Sequence, residues 1–345
     1  MEIKNKFLHH IDTEQKKISQ ITLITNSDNL ENYITSLIDE ITKEQNKRIF
    51  KFKEGNTEVK SSLSSILQIE DNLDEIISNN ALRLLEKEIQ AQEFLTKRSL
   101  EVNVQKGSLL HLHFIHEDFH HIIICKVEHD EFLTEDDFEL KKGLNTQKKA
   151  FKAILISYDQ ELLISRCVVF DKNNSRYWWK EFLELEQLNT DDANTEKSLD
   201  EIDKVLNRQK KNYYPDYLIL RNSMIGYYRT KEEFNFSDLV NDVFTTYEPL
   251  NLEFPLTDLI SKINDLPTKK GFDTQFSIVK EKINKRIKTQ IKLANHLYLN
   301  INDYIEDLKN VIETVEEHGN KYVKILSAEG YDLLKDMMQN GRRNN

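Results

Sequence analysis

Between Gly107 and Phe170 the chain breaks into short runs of Ile, Val, Leu and Phe separated by polar turn residues. A pattern of this kind commits a segment to strands. One run spans Gly107 to His129 and is interrupted at His116-Glu-Asp-Phe119. Phe151 to Ser157 and Leu162 to Phe170 follow, parted by Ser157-Tyr-Asp-Gln-Glu161. At least four sequential strands are expected, paired as an antiparallel meander with the rest of the chain helical or hinged to it. The expected class is α+β: an antiparallel sheet meander with flanking helices, followed by a mainly helical C-terminal region.

Turn formers are scarce elsewhere. Eight glycines and four prolines in 345 residues favour long elements, and this length supplies ample apolar material for two domains or one large one. Cys125 and Cys167 lie in apolar strand runs and read as reduced core residues, not a disulfide. No signal-like segment opens the chain and no run approaches a membrane span, so a cytoplasmic bacterial protein is the expectation. A net charge of −11 argues against nucleic acid only weakly, because phosphate binding depends on where Lys and Arg cluster.

In chain order, residues 3–12 and 16–25 suggest a hairpin around Asp12-Thr-Glu-Gln15. Asp28 with Glu31 resembles a capping box opening a helix. Arg48 to Lys53 reads as an edge strand. A helical pair follows, one carrying Leu63, Ile66 and Leu67, the other Leu82, Leu85, Ile89 and Phe94, with Glu86, Lys87 and Glu88 toward solvent. Tyr177-Trp-Trp-Lys-Glu-Phe-Leu183 holds both tryptophans and is expected to fill a sheet–helix junction. The expected domains are a sheet-and-helix unit over 1–186, an acidic linker over 187–200, and a mainly helical domain over 201–340 with a short C-terminal strand. Within the last, Tyr213 to Arg229 fits helix or strand. Helices are expected from about Thr274 to Leu299 and from Ile301 to His318, with Gly319 as the stop. Tyr322 to Leu326 reads as a strand, and Ser327 as the cap of a last helix.

Three constellations could carry chemistry. Six histidines crowd into 111–129: His111, His113, His116, His120, His121 and His129. His111 and His113 share a strand face, and nearby Glu117, Asp118, Glu128, Asp130 and Glu131 allow a metal or acid–base site to be drawn. The same positions also suit a half-exposed sheet face. The expected helix near 276–298 carries Val279, Ile283, Ile287 and Ile291 as an apolar stripe. Lys282, Lys285, Arg286, Lys288 and Lys292 cover its polar side, a local charge reversal suited to phosphates. Lys148 and Lys149 end a basic segment around Gly143, and Arg208, Lys210 and Lys211 form a third. No glycine-rich nucleotide loop and no serine-nucleophile elbow occurs, and no cofactor is expected.

Residues 143–183 resemble the 37-kDa nucleoid-associated protein family (NdpA or YejK type). The likeness lies in Gly143-Leu-Asn-Thr-Gln-Lys-Lys-Ala, Ala153-Ile-Leu-Ile, and Val169-Phe-Asp-Lys-Asn-Asn-Ser-Arg-Tyr-Trp-Trp-Lys-Glu-Phe-Leu183. Gly107-Ser-Leu-Leu entering the sheet, Leu8-His9 near the start and Lys324 to Gly330 near the end are similar too. Family members usually place glycine after the Phe-Leu pair, where this chain has Glu184. The resemblance implies a non-enzymatic protein of the bacterial nucleoid that binds double-stranded DNA as a homodimer. It supplies no DNA-contact residues, so Lys282, Lys285, Arg286, Lys288, Lys292, Lys148 and Lys149 are candidates on charge alone. Two other classes remain open: a metal-dependent nuclease or antiviral defence effector built on the histidine-rich hairpin, and a non-catalytic scaffold whose acidic loops dock a protein partner.

Overall fold

The computed structural model describes residues 1–21, 28–43, 47–68, 71–100, 103–104, 106–133, 140–144, 152–171, 174–283 and 287–341. The chain is mixed α+β and divides into two compact units, 1–190 with 273–275, and 191–272 with 276–345.

The first unit is a single sheet clad on both faces. Its strands are β1 (Glu2–Asp12), β2 (Lys17–Ile21), β3 (Arg48–Phe52), β4 (Gly107–His116), β5 (Phe119–Leu133), β6 (Leu140–Leu144), β7 (Lys152–Tyr158), β8 (Ile164–Asp171) and β9 (Leu185–Gln187). The order is β2-β1-β4-β5-β7-β8-β3-β9, with β6 on β5, and β4-β5-β7-β8 is the expected meander. Two residues close the β4–β5 hairpin, and both Glu117 (φ 50°) and Asp118 (φ 66°) are left-handed. Such a turn follows the right-handed twist of the strands it joins. β3 is not an edge strand: β8 and β9 flank it.

Alternate residues of each strand face opposite helices. Helix α1 (Asp28–Lys43) buries Ile34, Leu37, Ile38 and Ile41 against Leu110, Leu112, Phe114, Ile123 and Cys125. On the other face α2 (Glu58–Gln68) and α3 (Leu73–Lys97) pack over Leu109, Ile122, Ile124, Ile154 and Cys167. The two thiols therefore belong to separate cores. Both are free, and burial pushes Cys167 up to about 12.

A π-helical turn, Tyr177–Phe182, seats Trp178 in the α3-side core, 5.1 Å from Phe182, while Trp179 packs 5.2 Å from Phe50. Arg83 of α3 holds this turn by donating to the Phe182 and Glu181 carbonyls at 3.0 and 2.8 Å. Glu184, which follows the Phe-Leu pair, has φ 59°. A non-glycine residue strains there. Its carboxylate pairs with Arg83 at 3.1 Å and accepts the Glu58 amide at 2.9 Å, contacts glycine could not make.

The second unit contains α4 (Asp191–Asn207), α5 (Tyr214–Thr230), β10 (Glu233–Asn235), α6 (Phe236–Leu239), α7 (Leu256–Asn264), α8 (Leu266–Lys270), β11 (Gln275–Ser277), β12 (Thr289–Ala294), β13 (Leu297–Ile301), α9 (Leu308–Val311), β14 (Ile312–Glu317), β15 (Asn320–Ile325) and α10 (Ala328–Gly341). Its core is aromatic: Phe234 stacks on Phe276 at 4.3 Å, and buried Tyr228 donates to Ser198 at 2.7 Å. Tyr213 to Arg229, which fitted either element, is helix, with Pro215 in the first turn.

Three expectations here are overturned. The stretch read as an acidic linker over 187–200 is mostly the start of α4. Asp191 and Asp192 complement its positive end, and its first buried residues are Asn194, Thr195 and Ser198, so the apolar period begins only at Leu199. The basic amphipathic helix near 276–298 does not form. A short 3-10 turn, Lys280–Lys282, is followed by the β12–β13 hairpin. Apolar residues four apart share a strand face as readily as a helix face, and Ile287-Lys-Thr-Gln-Ile-Lys-Leu293 also alternates with period two. Its β-branched residues then favour the strand. The helix expected over Ile301 to His318 is one turn, α9, leading into the β14–β15 hairpin. His318 (φ 52°) and Gly319 (φ 80°) form the hairpin's turn, not a helix stop. Ser327 does cap α10, accepting the Gly330 amide at 2.9 Å.

Gly226 lets Tyr304 lie against α5, since a Cβ there would sit 2.5 Å from the ring. Gly226→Ala is therefore expected to lower stability by about 1–3 kcal/mol, despite alanine's better helix propensity. Thermal unfolding followed by far-UV circular dichroism would read this as a lower Tm, and an unchanged or higher Tm would contradict the close approach.

Candidate functional site

Of the seven candidate phosphate contacts, Lys282, Lys288 and Lys292 lie among the described residues. Lys282 lies 3.2 Å from Asp192 and 3.4 Å from Glu196, which raise its ammonium pKa, so its charge is already answered. Lys285, Arg286, Lys148 and Lys149 lie outside the described residues. Lys288 and Lys292 are exposed, Lys288 just before β12 and Lys292 within it.

Arg221 of α5 gives Lys288 its setting. Its guanidinium donates to Asp203 of α4 at 2.7 Å, to the Ile287 carbonyl at 3.1 Å and to the Thr289 hydroxyl at 2.6 Å. The residues on both sides of Lys288, Ile287 through its carbonyl and Thr289 through its side chain, are thus tied to the residue that grips Asp203 of α4. The turn after α4 presents Arg208, Lys210 and Lys211, all exposed. Tyr217 anchors that turn by donating to Asn207 at 2.9 Å, and the Lys210 ammonium lies 5.6 Å from the Tyr217 ring centre. Other cations of this unit face carboxylates: Lys204 and Lys270 share Glu201, Lys262 meets Asp258 and Lys269 meets Asp265. Among the described residues no carboxylate pairs with Arg208, Lys210, Lys211, Lys288 or Lys292. Sequence reading noted the 208–211 cluster but could not join it to Lys288. Arg221, which makes the connection, stood in an apolar run without any charge signal.

The histidine-rich hairpin is a different arrangement. His111 and His113 are buried under α3, and His9 joins them from β1. His9 lies 3.1 Å from the Ser78 hydroxyl. Asn80 donates to Ser62 at 2.8 Å and lies 3.4 Å from His111. His113 meets His120 at 2.9 Å with stacked rings, whereas His121 turns to the opposite face beside Phe114 and Ser157. Burial pushes His111 down to about 3 and His113 to about 4, with like-charge neighbours adding to the effect. Both are neutral imidazoles at neutral pH. His116 is exposed beside the turn, and the side chain of His129 lies outside the described residues. Among the described residues no three His, Cys, Asp or Glu side chains converge as metal ligands.

The same seam ends in a buried ion pair, Lys126 of β5 with Glu88 of α3. Glu88 was expected in solvent but is fully buried. It continues the buried stripe Ile77, Asn80, Ala81, Leu84 and Leu85, so two polar residues on an otherwise apolar helix face were the available signal. No helix among the described residues is long and apolar enough to cross a membrane. No protein-family model matches this chain, and no curated protein sequence does.

Proposed function

We propose that this chain is a sequence-nonspecific double-stranded-DNA-binding protein of the bacterial nucleoid, held on the duplex by the second unit. Arg208, Lys210, Lys211, Lys288 and Lys292 contact phosphates, with Lys288 and Lys292 carried by the start of the β12–β13 hairpin and not by a helix. The observation that carries this reading is the Arg221 staple. In a chain of net charge −11 it ties the residues flanking exposed Lys288 to Asp203 of α4, the helix that leads into the exposed basic turn 208–211, while Lys204, Lys270 and Lys282 meet carboxylates. Neutralising phosphates releases counterions, so such a patch binds without reading bases. A homodimer would present two patches to one duplex.

The test is charge reversal. Arg208→Glu with Lys210→Glu and Lys211→Glu is expected to weaken binding to all duplexes alike. The salt dependence should become shallower by roughly 0.9 in log–log slope per lost contact. Lys282→Glu, at a residue already paired, should change the slope little. Equal affinity and slope for the triple variant and the wild type would reject the patch.

A further inference from the structure

The C-terminal part of the second unit leaves apolar surface on both a groove and a helix. The groove, of about 560 Å³, is walled by Leu218 and Ile219 of α5, Ile291 and Leu299 of the β12–β13 hairpin, and Ile312 and Val323 of the β14–β15 hairpin. Exposed Leu250 lies on its lining. Helix α10 carries Tyr331 and Leu334 three residues apart with Leu333 alongside, and these are 70%, 58% and 82% exposed. Asp332 and Lys335 pair on its other side at 2.9 Å. An amphipathic helix with its apolar side in water and an apolar groove of similar scale are complementary surfaces.

We propose that α10 of one chain fills this groove in a second copy, and that the exchange is reciprocal. The connection argues against a chain filling its own groove. Only Leu326 and Ser327 separate β15, a groove wall, from α10. Leu326 is fixed by its amide to the Val311 carbonyl at 2.9 Å, and Ser327 is fixed as the α10 cap. No free residue is left to reverse the helix onto the wall it has just left. Two copies related by a twofold axis satisfy both helices and both grooves in a closed dimer. The groove also explains how the two hairpins persist, since an isolated two-stranded hairpin is marginal in water and β15 is exposed along its whole length.

The experiment is sedimentation velocity on the full-length chain across micromolar concentrations, with Leu334→Glu on the helix and Leu250→Glu in the groove. Both sites are exposed, and circular dichroism checks that each variant is folded. The wild type should be dimeric, and each variant should dissociate at least roughly 30-fold more readily. Mixing the two variants should restore part of the association, because the intact helix of one meets the intact groove of the other and rebuilds one of the two contacts. A monomeric wild type, a dimer indifferent to both substitutions, or a mixture no more associated than its components would each overturn the proposal. None of these outcomes depends on DNA.

Discussion

Replacing Lys126 by methionine is expected to lower the stability of the first unit by about 3–5 kcal/mol. The side chain is buried in β5 and its ammonium meets Glu88, itself fully buried in α3. Burial pushes the Glu88 carboxyl upward, and the lysine offsets part of that push. Without the lysine the buried carboxylate loses its hydrogen-bonded partner and keeps only the weaker pull of Lys152. Replacing both residues, Lys126→Met with Glu88→Leu, should recover most of the loss, because apolar substitutes of similar volume commonly replace buried pairs. The single variant should also show its own pH dependence. Its Glu88 pKa would lie above the unfolded value, so its deficit relative to wild type should grow as pH rises through that raised pKa and shrink in acid. Both tryptophans lie in this unit, so fluorescence-monitored urea unfolding reads it directly. A single variant within about 1 kcal/mol of wild type would mean the pair is hydrated.

The buried histidines should make the same unit acid-sensitive well above the carboxylate range. A histidine whose folded pKa is depressed binds its proton first in the unfolded chain. Its contribution is therefore complete above the unfolded value near 6.5 and drains away as pH falls, until the folded value is reached. With His111 at about 3 and His113 at about 4, each should cost about 2 kcal/mol between neutral pH and pH 5. His111→Asn should unfold more readily at neutral pH but lose less on acidification. A wild-type stability that is flat from pH 7 to 5 would contradict the burial of these rings.

The histidine crowding was legible in the sequence; its meaning was not. Two histidines two apart on a strand share a face, but only the packing of α3 decides whether that face is wet. The meander was readable for a local reason. Each strand of β4-β5-β7-β8 is long, apolar and separated from the next by polar turn residues, so register follows from neighbours. The C-terminal hairpins were missed because Ile283, Ile287 and Ile291 satisfy two periods at once, and Ile312 and Val315 were absorbed into a helical spacing. The proposed basic patch was legible only in pieces, Arg208, Lys210 and Lys211 as one cluster and Lys288 and Lys292 as part of another. The link between them was not legible: Arg221 bonds Asp203 of α4 and the Ile287 carbonyl, and nothing in the sequence pairs those positions. Lys282 shows the converse error: charge counted along the chain ignores the carboxylates that folding brings to it.

The most direct measurement is the affinity of the intact wild-type chain for two unrelated duplexes of equal length, by fluorescence anisotropy across a salt series. Five phosphate contacts predict equal affinities on both sequences and a log–log salt slope no shallower than about −4. A flat salt response, no retention at low salt, or a strong preference for one duplex would contradict a patch that holds DNA by its phosphates.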